Sequence, residues 1–223
     1  MHSTTWKMDM ERREFLRDTA GILVGLLGAK VYAAESAEPE ALEEEKWESL
    51  FNGKDLSGWR PEGGAVWTVE DECIVGVQGP NGEAGDLFTE KEYDDFELRV
   101  TYKIHWPANS GIWFRYQAPD KAYQADILEY KEPLAYSGTL YCPGKMFLAI
   151  NKDPALVKKD DWNMMGILAQ GDHLVITLNG TVTGDVHDGS YARGKIGFQI
   201  HAGDDFKNMK ITVRKVLLRP LAP

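Results

Sequence analysis

Residues 96–104 alternate between apolar and polar side chains at every position, which is the period of a β-strand. Successive side chains of a strand point to opposite faces, so this strand would have one apolar and one polar face. Antiparallel sheets commonly bury one face and hydrate the other, so the segment predicts a strand of such a sheet. The apolar set is Phe96, Leu98, Val100 and Tyr102, and the polar set is Glu97, Arg99, Thr101 and Lys103.

The chain after residue 46 repeats this pattern of strands separated by turns. The clearest hairpin joins residues 173–178 to residues 181–184 through Asn179-Gly180, a pair that fits a type I′ turn. Roughly a dozen strand-like segments are present, and no segment of this part has a helical pattern. We therefore predict an all-β fold, an antiparallel β-sandwich of the jelly-roll type.

Residues 131–159 interrupt the pattern, since this segment has prolines at positions 133, 143 and 154 and no clear alternation. Loops of this length are uncommon inside a compact domain and are usually functional. We therefore expect an irregular functional loop in this part of the chain.

The composition is that of an ordinary globular protein, and it disfavours two kinds of partner. Of the 223 residues, 43% are hydrophobic and 27% are charged, and the formal net charge is −10. An acidic surface repels nucleic acids and anionic membranes, so neither is expected to bind. The sequence lacks an uncharged apolar stretch of about 18 residues, which a conventional transmembrane helix would need.

The first 33 residues have the order of regions found in an export signal. Arg12 and Arg13 precede Phe15-Leu16, the apolar run 20–29 follows, and small residues close the segment. The arginine pair is typical of a twin-arginine signal, so we predict export to the periplasm or the extracellular space. An amphipathic helix that caps the fold is the alternative for the same residues.

Residues 34–46 are acidic and poor in apolar side chains, which predicts a flexible linker. Residues 47–223 then form the predicted β-sandwich domain. Once the signal is cleaved, no membrane attachment is expected for this domain.

The chain contains two cysteines, Cys73 and Cys142. Export to an oxidising compartment would allow them to form a disulfide. Both lie in strand-like segments of a chain that is large enough to fold without one, so packed thiols are the favoured expectation.

Residues 123–130 contain the most concentrated set of candidate site residues. Gln124 and Asp126 lie two positions apart and would share one face of a strand. Glu129 comes three positions after Asp126 and would face the other way unless a β-bulge separates them. With that bulge, a single strand would present three polar side chains to a cleft. The alternative is a half-exposed strand whose polar face is merely hydrated.

Several segments, in order along the chain, resemble the 3-keto-disaccharide hydrolase domain family. They are residues 50–59 (LFNGKDLSGW), 91–98, 109–112, 123–129, 162–163, 178–180 and 197–201. The resemblance implies a concanavalin-like β-sandwich with a sugar on its concave face, in a secreted protein that acts on glycosides oxidised to a ketone at C3. Many members carry Glu at the position of Gln124 and Gln at the position of Asp126, so the acid is displaced here by one inward-facing position.

The implied reaction needs an acid and a base beside the sugar. A ketone at C3 acidifies the C2 proton because the carbanion is delocalised as an enolate, and the aglycone at C1 then leaves by elimination before water adds. Asp126 and Glu129 are the predicted acid and base, and His201 is the third predicted catalytic residue. Arg115 is predicted to hydrogen-bond the enolate or the sugar hydroxyls. The predicted substrate-binding residues are Asn109, Trp113, Arg115, Gln124, Tyr141, Lys145 and Gln199.

No cofactor is firmly implied, although Asp126, Glu129 and His201 are residue types that bind divalent metal ions. Two other functions stay open at this point. A non-catalytic carbohydrate-binding module would use the many tryptophans and tyrosines to stack on sugars. A concanavalin-like glycoside hydrolase acting on unoxidised glucan would use a Glu-x-Asp-x-x-Glu strand, but here the first position is Gln124, which cannot act as a nucleophile.

Overall fold

The computed structural model describes residues 47–222, and this part of the chain contains fifteen strands and two short 3₁₀-helices. The predicted export signal and the predicted linker both lie outside the described residues. The 3₁₀-helices are Pro154–Leu156 and Asp204–Phe206. The strands are β1 (Glu48–Ser49), β2 (Trp59–Gly63), β3 (Val66–Glu70), β4 (Cys73–Val77), β5 (Gly85–Thr89), β6 (Phe96–Ile104), β7 (Asn109–Ala118), β8 (Lys121–Lys131), β9 (Leu134–Cys142), β10 (Met146–Asn151), β11 (Asn163–Gln170), β12 (His173–Leu178), β13 (Thr181–His187), β14 (Lys195–Ile200) and β15 (Lys210–Pro220).

The strands form two antiparallel sheets that pack face to face. The first sheet has the order β13-β12-β11-β6-β15-β4-β3, and β1 pairs with β15 outside this path. The second sheet has the order β10-β9-β8-β7-β14-β5-β2. Sequence neighbours such as β4 and β5 lie in different sheets, which is how a sandwich of the predicted type closes around one core. The predicted all-β antiparallel sandwich is confirmed.

Strand β6 lies in the middle of the first sheet, between β11 and β15. Its apolar side chains are almost completely buried, with 0% exposure at Phe96 and Val100 and 1% at Leu98 and Tyr102. They belong to the core between the sheets, whereas Arg99 on the opposite face is exposed. The alternation in the sequence therefore assigned both faces of this strand correctly.

The hairpin between β12 and β13 has the predicted tight turn. Asn179 and Gly180 both have positive φ angles, 52° and 87°, as a type I′ turn requires. The side chain of Asn179 also donates a hydrogen bond to the backbone oxygen of Leu156, at 2.8 Å. This contact ties the turn to the 3₁₀-helix that precedes β11.

The expectation of an irregular loop over residues 131–159 is wrong. This segment contains β9 and β10, which continue the second sheet beyond β8. Its three prolines fall at the connections, with Pro133 and Pro143 in turns and Pro154 in a 3₁₀-helix, so they interrupt no ladder. Buried Asn151 pins the end of β10 by donating to the backbone oxygen of Ser137 at 2.7 Å.

Cys73 and Cys142 are both buried free thiols. Cys73 lies in β4 of the first sheet and Cys142 at the end of β9 in the second sheet. They pack as small apolar side chains and form no disulfide, as the sequence analysis favoured. No helix within residues 47–222 has both the length and the apolar character needed to cross a membrane.

Arg115 lies in β7, where the strand is irregular. The pairing of β7 with β8 shifts between Phe114 and Ala118, and Arg115 has a φ angle of +48°. This left-handed backbone breaks the alternation, so Arg115 does not share the face of Trp113 as two residues that are two positions apart in a regular strand would. Its side chain is completely buried instead.

The Arg115 guanidinium joins three loops through backbone oxygens. It donates to the carbonyl oxygens of Asp94 at 2.9 Å, Gly171 at 2.8 Å and Tyr191 at 3.1 Å. It also forms an ion pair with Asp95, with 2.8 Å between Nη2 and Oδ1. Arg115 is therefore a structural residue, and the prediction that it binds substrate is wrong.

We expect Arg115→Lys to lower the free energy of unfolding by about 2–4 kcal/mol, since one ammonium group cannot reach three carbonyls and a carboxylate. Urea denaturation followed by tryptophan fluorescence measures this loss. Arg60→Lys is the matched control, because Arg60 makes an exposed ion pair with Glu90 at 2.9 Å and should cost less than about 0.5 kcal/mol. Equal stability of the two variants would contradict the structural role.

Candidate functional site

A groove of about 390 Å³ lies on the outer face of the second sheet, opposite the core. Strands β5, β7, β8, β9, β10 and β14 all contribute side chains to it. Its walls combine carboxyl, amide and imidazole groups with several aromatic rings. The lining residues are Asp86, Asn109, Trp113, Tyr116, Pro119, Gln124, Asp126, Leu128, Tyr130, Tyr141, Met146, Phe147, Gln199 and His201.

One row of directly paired residues crosses the floor of the groove. Asp86 of β5 pairs with Gln199 of β14, which pairs with Gly111 of β7, which pairs with Asp126 of β8. Residues paired across antiparallel strands lie side by side on the same face. The sheet therefore places a carboxyl group at each end of this row, with the amide of Gln199 between them.

Gly111 leaves room for an amide bridge in the middle of the row. A Cβ atom at this position would lie 2.5 Å from Cδ of Gln124, so any larger residue would displace that side chain. In the absence of a side chain at Gly111, Nε2 of Gln124 donates to Oε1 of Gln199, at 3.2 Å. The two glutamines form a polar floor on which sugar hydroxyls can hydrogen-bond.

Asp126 is the most deeply buried carboxyl group of the groove, with 2% of the residue exposed. Within residues 47–222, its buried Oδ2 atom has no hydrogen-bond partner. Burial without a compensating partner raises the pKa of Asp126 well above its usual value. The group is therefore protonated under conditions where an exposed aspartate is ionised, and it can donate a proton.

Asp86 is a second carboxyl group of the groove, and the sequence analysis missed it. Nε1 of Trp113 donates to Oδ1 of Asp86 at 2.8 Å. Burial raises the pKa of Asp86 to about 6, against the opposing effect of the Trp113 hydrogen bond. The sequence offered little signal, since Asp86 is a single acid before Leu87-Phe88 in a short strand.

Aromatic rings form the sides of the groove. Phe88 and Tyr116 stack with ring centroids 4.0 Å apart, and Trp113 packs beside them. On the other side, Phe147 makes edge contacts with Tyr130 and Tyr141, at 6.0 and 6.2 Å between centroids. Such rings stack on the apolar faces of sugars.

His201 lies at the rim of the groove, two residues after Gln199, and is exposed. Its Nδ1 atom is 2.6 Å from the backbone oxygen of Ala202. A carbonyl oxygen only accepts hydrogen bonds, so Nδ1 carries the hydrogen and a neutral ring has its lone pair on Nε2.

The structure brings together most of the residues that the sequence analysis proposed for the site. Two predicted catalytic residues and five predicted binding residues line the groove. They are Asp126, His201, Asn109, Trp113, Gln124, Tyr141 and Gln199.

Glu129 lies elsewhere, because the predicted β-bulge is absent. The pairing of β8 with β7 runs without interruption from Tyr123 to Leu128, so the strand keeps its strict alternation. Gln124, Asp126, Leu128 and Tyr130 face the groove, and Glu129 projects from the other face. Its carboxylate pairs with Nζ of Lys159 at 2.8 Å. The prediction that Glu129 shares a cleft with Asp126 is wrong.

Lys145 also lies outside the groove, in the turn between β9 and β10. Its Nζ atom donates to the carboxylate of Asp188 and to the hydroxyl of Ser190. Asp188 in turn accepts a hydrogen bond from the hydroxyl of Tyr123, at 2.6 Å. Lys145 therefore closes a structural network and does not reach the groove.

The set proposed for a divalent metal is not assembled, because Glu129 faces away from Asp126 and His201. Among residues 47–222, no three or more His, Cys, Asp or Glu side chains are grouped so that they could hold a metal ion.

The fold is an antiparallel β-sandwich of the concanavalin-like type, and the candidate site lies on one outer sheet face. Residues 46–212 match the sequence pattern of the 3-keto-alpha-glucoside-1,2-lyase-like domain family. This match covers well over half of the chain, and the chain belongs to that family. The family resemblance inferred from the ordered motifs is therefore confirmed.

A curated relative and two solved structures resemble this chain. A 3-keto-disaccharide hydrolase of Bacteroides thetaiotaomicron is 35% identical over 75 residues, a match that spans 30% of this chain but only 26% of the relative. A Parabacteroides distasonis structure, provisionally assigned as a glycosyl hydrolase, has a TM-score of 0.62 and 22% identity, covering 80% of this chain and 95% of its own. A carbohydrate-binding module from Bacillus subtilis has a TM-score of 0.55 and 18% identity, covering 73% and 95%. The two structures share the fold.

We expect Asp126→Asn to become more stable relative to the wild type as the pH rises. The raised pKa of Asp126 means that the folded wild type keeps a proton which the unfolded chain releases above about pH 4. Wild-type stability therefore falls as the pH rises from there toward the folded-state pKa, by at most about 1.4 kcal/mol per pH unit. Asparagine stays neutral and avoids this loss.

Urea denaturation of both proteins at about pH 5 and about pH 8 measures the difference. Asp86 titrates in both proteins, so its contribution cancels in the comparison. A stability difference that does not change with pH would show that Asp126 is ionised in the folded protein.

Proposed function

We propose that the groove binds 3-keto-glycosides and cleaves their glycosidic bond by elimination, followed by addition of water. The observation that carries this proposal is the buried, unpartnered carboxyl group of Asp126 at the groove of a chain that belongs to this family. The family description and the name of the Bacteroides relative support the substrate class.

The chemistry explains why a neutral carboxylic acid is useful here. Removal of the C2 proton gives an enolate across C2, C3 and the C3 oxygen, and collapse of the enolate expels the oxygen at C1. An alcohol leaves more readily when that oxygen receives a proton as the C1–O bond breaks. Asp126, which burial keeps protonated, is the proposed donor.

The rest of the groove suits an oxidised sugar. The amides of Asn109, Gln124 and Gln199 offer both donors and acceptors to hydroxyl groups and to the C3 oxygen. Trp113 and Tyr141 flank this polar floor and present rings to the faces of a pyranose. Uncharged donors near the C3 oxygen would stabilise the enolate as its charge develops.

Two alternatives receive less support from the groove. A retaining glycosidase needs two carboxyl groups about 5–5.5 Å apart, one of them a nucleophile. The strands of Asp86 and Asp126 are three spacings apart, about 14 Å at the backbone, and Gln124 stands between them. A sugar-binding module needs no proton donor, so it gives no reason to bury a carboxyl group without a partner.

The protein would carry out this reaction outside the cytoplasm. The twin-arginine pattern at Arg12 and Arg13 supports export of the protein through residues 1–33. The substrate would then be an oxidised glycoside in the periplasm or the medium.

Purified protein should release the aglycone from an alkyl 3-keto-glucoside and leave the unoxidised parent glucoside intact, as measured by chromatography of the released alcohol. Asp126→Asn should lower kcat/KM by about 10²–10³-fold on this substrate. The loss should be much smaller for a 4-nitrophenyl 3-keto-glucoside, because 4-nitrophenolate leaves without a proton.

Glu129→Gln is the matched control, since Glu129 projects away from the groove and its loss should leave turnover unchanged. Release from the parent glucoside would favour the glucan hydrolase instead. Binding of both sugars without turnover of either would favour the carbohydrate-binding module.

A further inference from the structure

We infer that Asp86 is the base that removes the C2 proton of the 3-keto sugar, with Trp113 as its positioning residue. This inference rests on the proposed function and assigns the base, for which the sequence analysis had chosen Glu129. Asp86 lines the same groove as Asp126 and stands at the opposite end of the paired row across the floor.

The spacing of the two strands leaves room for a sugar ring between the aspartates. Three strand spacings of roughly 4.8 Å separate their backbones by about 14 Å, and both side chains line the groove. A pyranose standing upright on the floor between them would have Asp86 toward one face and Asp126 toward the other.

This placement matches the stereochemistry of elimination from an α-glucoside. In the chair form, the α C1–O bond and the C2–H bond are both axial and point to opposite faces of the ring. The base and the acid must then approach from opposite sides, as two carboxyl groups across a groove can. Neighbouring carboxyl groups on one strand, such as a bulge at Glu129 would have given, cannot do this.

Trp113 fixes one oxygen of Asp86 and leaves the other available. Nε1 of Trp113 donates to Oδ1 at 2.8 Å, and within residues 47–222 no hydrogen bond is made to Oδ2. The indole is itself buried, with 6% exposure, so the carboxyl group is held in one orientation. A base in a fixed orientation needs little rearrangement to reach a proton on the bound sugar.

Burial and a neighbouring negative charge bring the pKa of Asp86 close to the neutral range. Glu62 of β2 pairs directly with Asp86, and its charge adds to burial in raising the pKa of Asp86 to about 6. Nζ of Lys195, on β14, forms an ion pair with the carboxylate of Glu62 at 3.3 Å. Tyr116 and His201 are the other titratable groups that line the groove on this side. Asp86 is thus mainly ionised at neutral pH, whereas the deeper burial of Asp126 favours its neutral form.

Both carboxyl groups regain their starting protonation states over one catalytic cycle. Asp86 takes the C2 proton, the C2–H electrons form the enolate, and the C1–O bond breaks as Asp126 gives its proton to the departing oxygen. The products are an alcohol and a sugar with a C1–C2 double bond conjugated to the ketone. Water then adds at C1, giving one proton to Asp126, and Asp86 returns its proton to C2.

The test separates proton removal from bond cleavage. 1,5-Anhydroglucitol oxidised at C3 has no leaving group at C1, so the base alone can exchange its C2 proton for deuterium in D₂O. Proton NMR should show exchange that is catalysed by the wild type, unchanged in Glu129→Gln outside the groove, and at least about 10²-fold slower in Asp86→Asn. Formate should restore part of the rate to Asp86→Ala, and thermal unfolding checks that each variant is folded.

Trp113→Phe provides an independent readout of positioning. Loss of the indole hydrogen bond should raise the pKa of Asp86, so the acidic limb of kcat/KM should move upward by about one pH unit. A merely structural tryptophan would lower activity without moving that limb.

The outcomes distinguish this inference from the proposed function. If the wild type turns over the 3-keto-glucoside and Asp86→Asn exchanges and turns over at the wild-type rate, Asp86 is not the base and the function stands. Loss of exchange in His201→Asn alone would assign the base to His201. If the wild type acts on neither compound, the proposed function itself fails, and the assignment of Asp86 fails with it.

Discussion

The uninterrupted pairing of β8 with β7 is the constraint on which the groove depends. From Tyr123 to Leu128 each residue of β8 has one partner on β7, so side chains alternate between core and groove without exception. Ala125 and Ile127 are completely buried in the core, and Asp126 between them reaches the groove. One inserted residue would exchange these two sets, so the core and the site are fixed by the same register.

The sheet also produces two carboxyl groups of different character, neither of which forms an ion pair within residues 47–222. Asp126 is buried with an unpartnered oxygen, so desolvation dominates and favours its neutral form. Asp86 is less enclosed and accepts a hydrogen bond from Trp113, which partly offsets the same effect. Environments that push two carboxyl pKa values apart are a common way to obtain an acid and a base in one site.

Glycines of the second sheet make the floor of this groove possible. Gly111 admits the side chain of Gln124, and a Cβ at Gly197 would lie 2.3 Å from the ring of Phe88. Phe88 can therefore lie over β14 and support the stack with Tyr116. The hydrogen bond between Gln124 and Gln199 and the stack of Phe88 with Tyr116 therefore each depend on a neighbouring glycine.

Local patterns in the sequence were enough to predict most of the strands, the two faces of β6, the tight turn at Asn179-Gly180 and the family, but they missed β9 and β10. These predictions follow from local alternation, turn chemistry and ordered motifs, which need no knowledge of distant contacts. Strand pairing and packing in the folded protein determine which polar residues line the groove. The missing bulge before Glu129 reflects the pairing of β8 with the preceding strand β7. The contacts of Arg115 with Gly171 and Tyr191 and the pairing of Asp86 with Gln199 join segments far apart in sequence. A structural arginine and a ligand-binding arginine look the same in the sequence. The groups that surround the side chain in the folded protein distinguish the two roles.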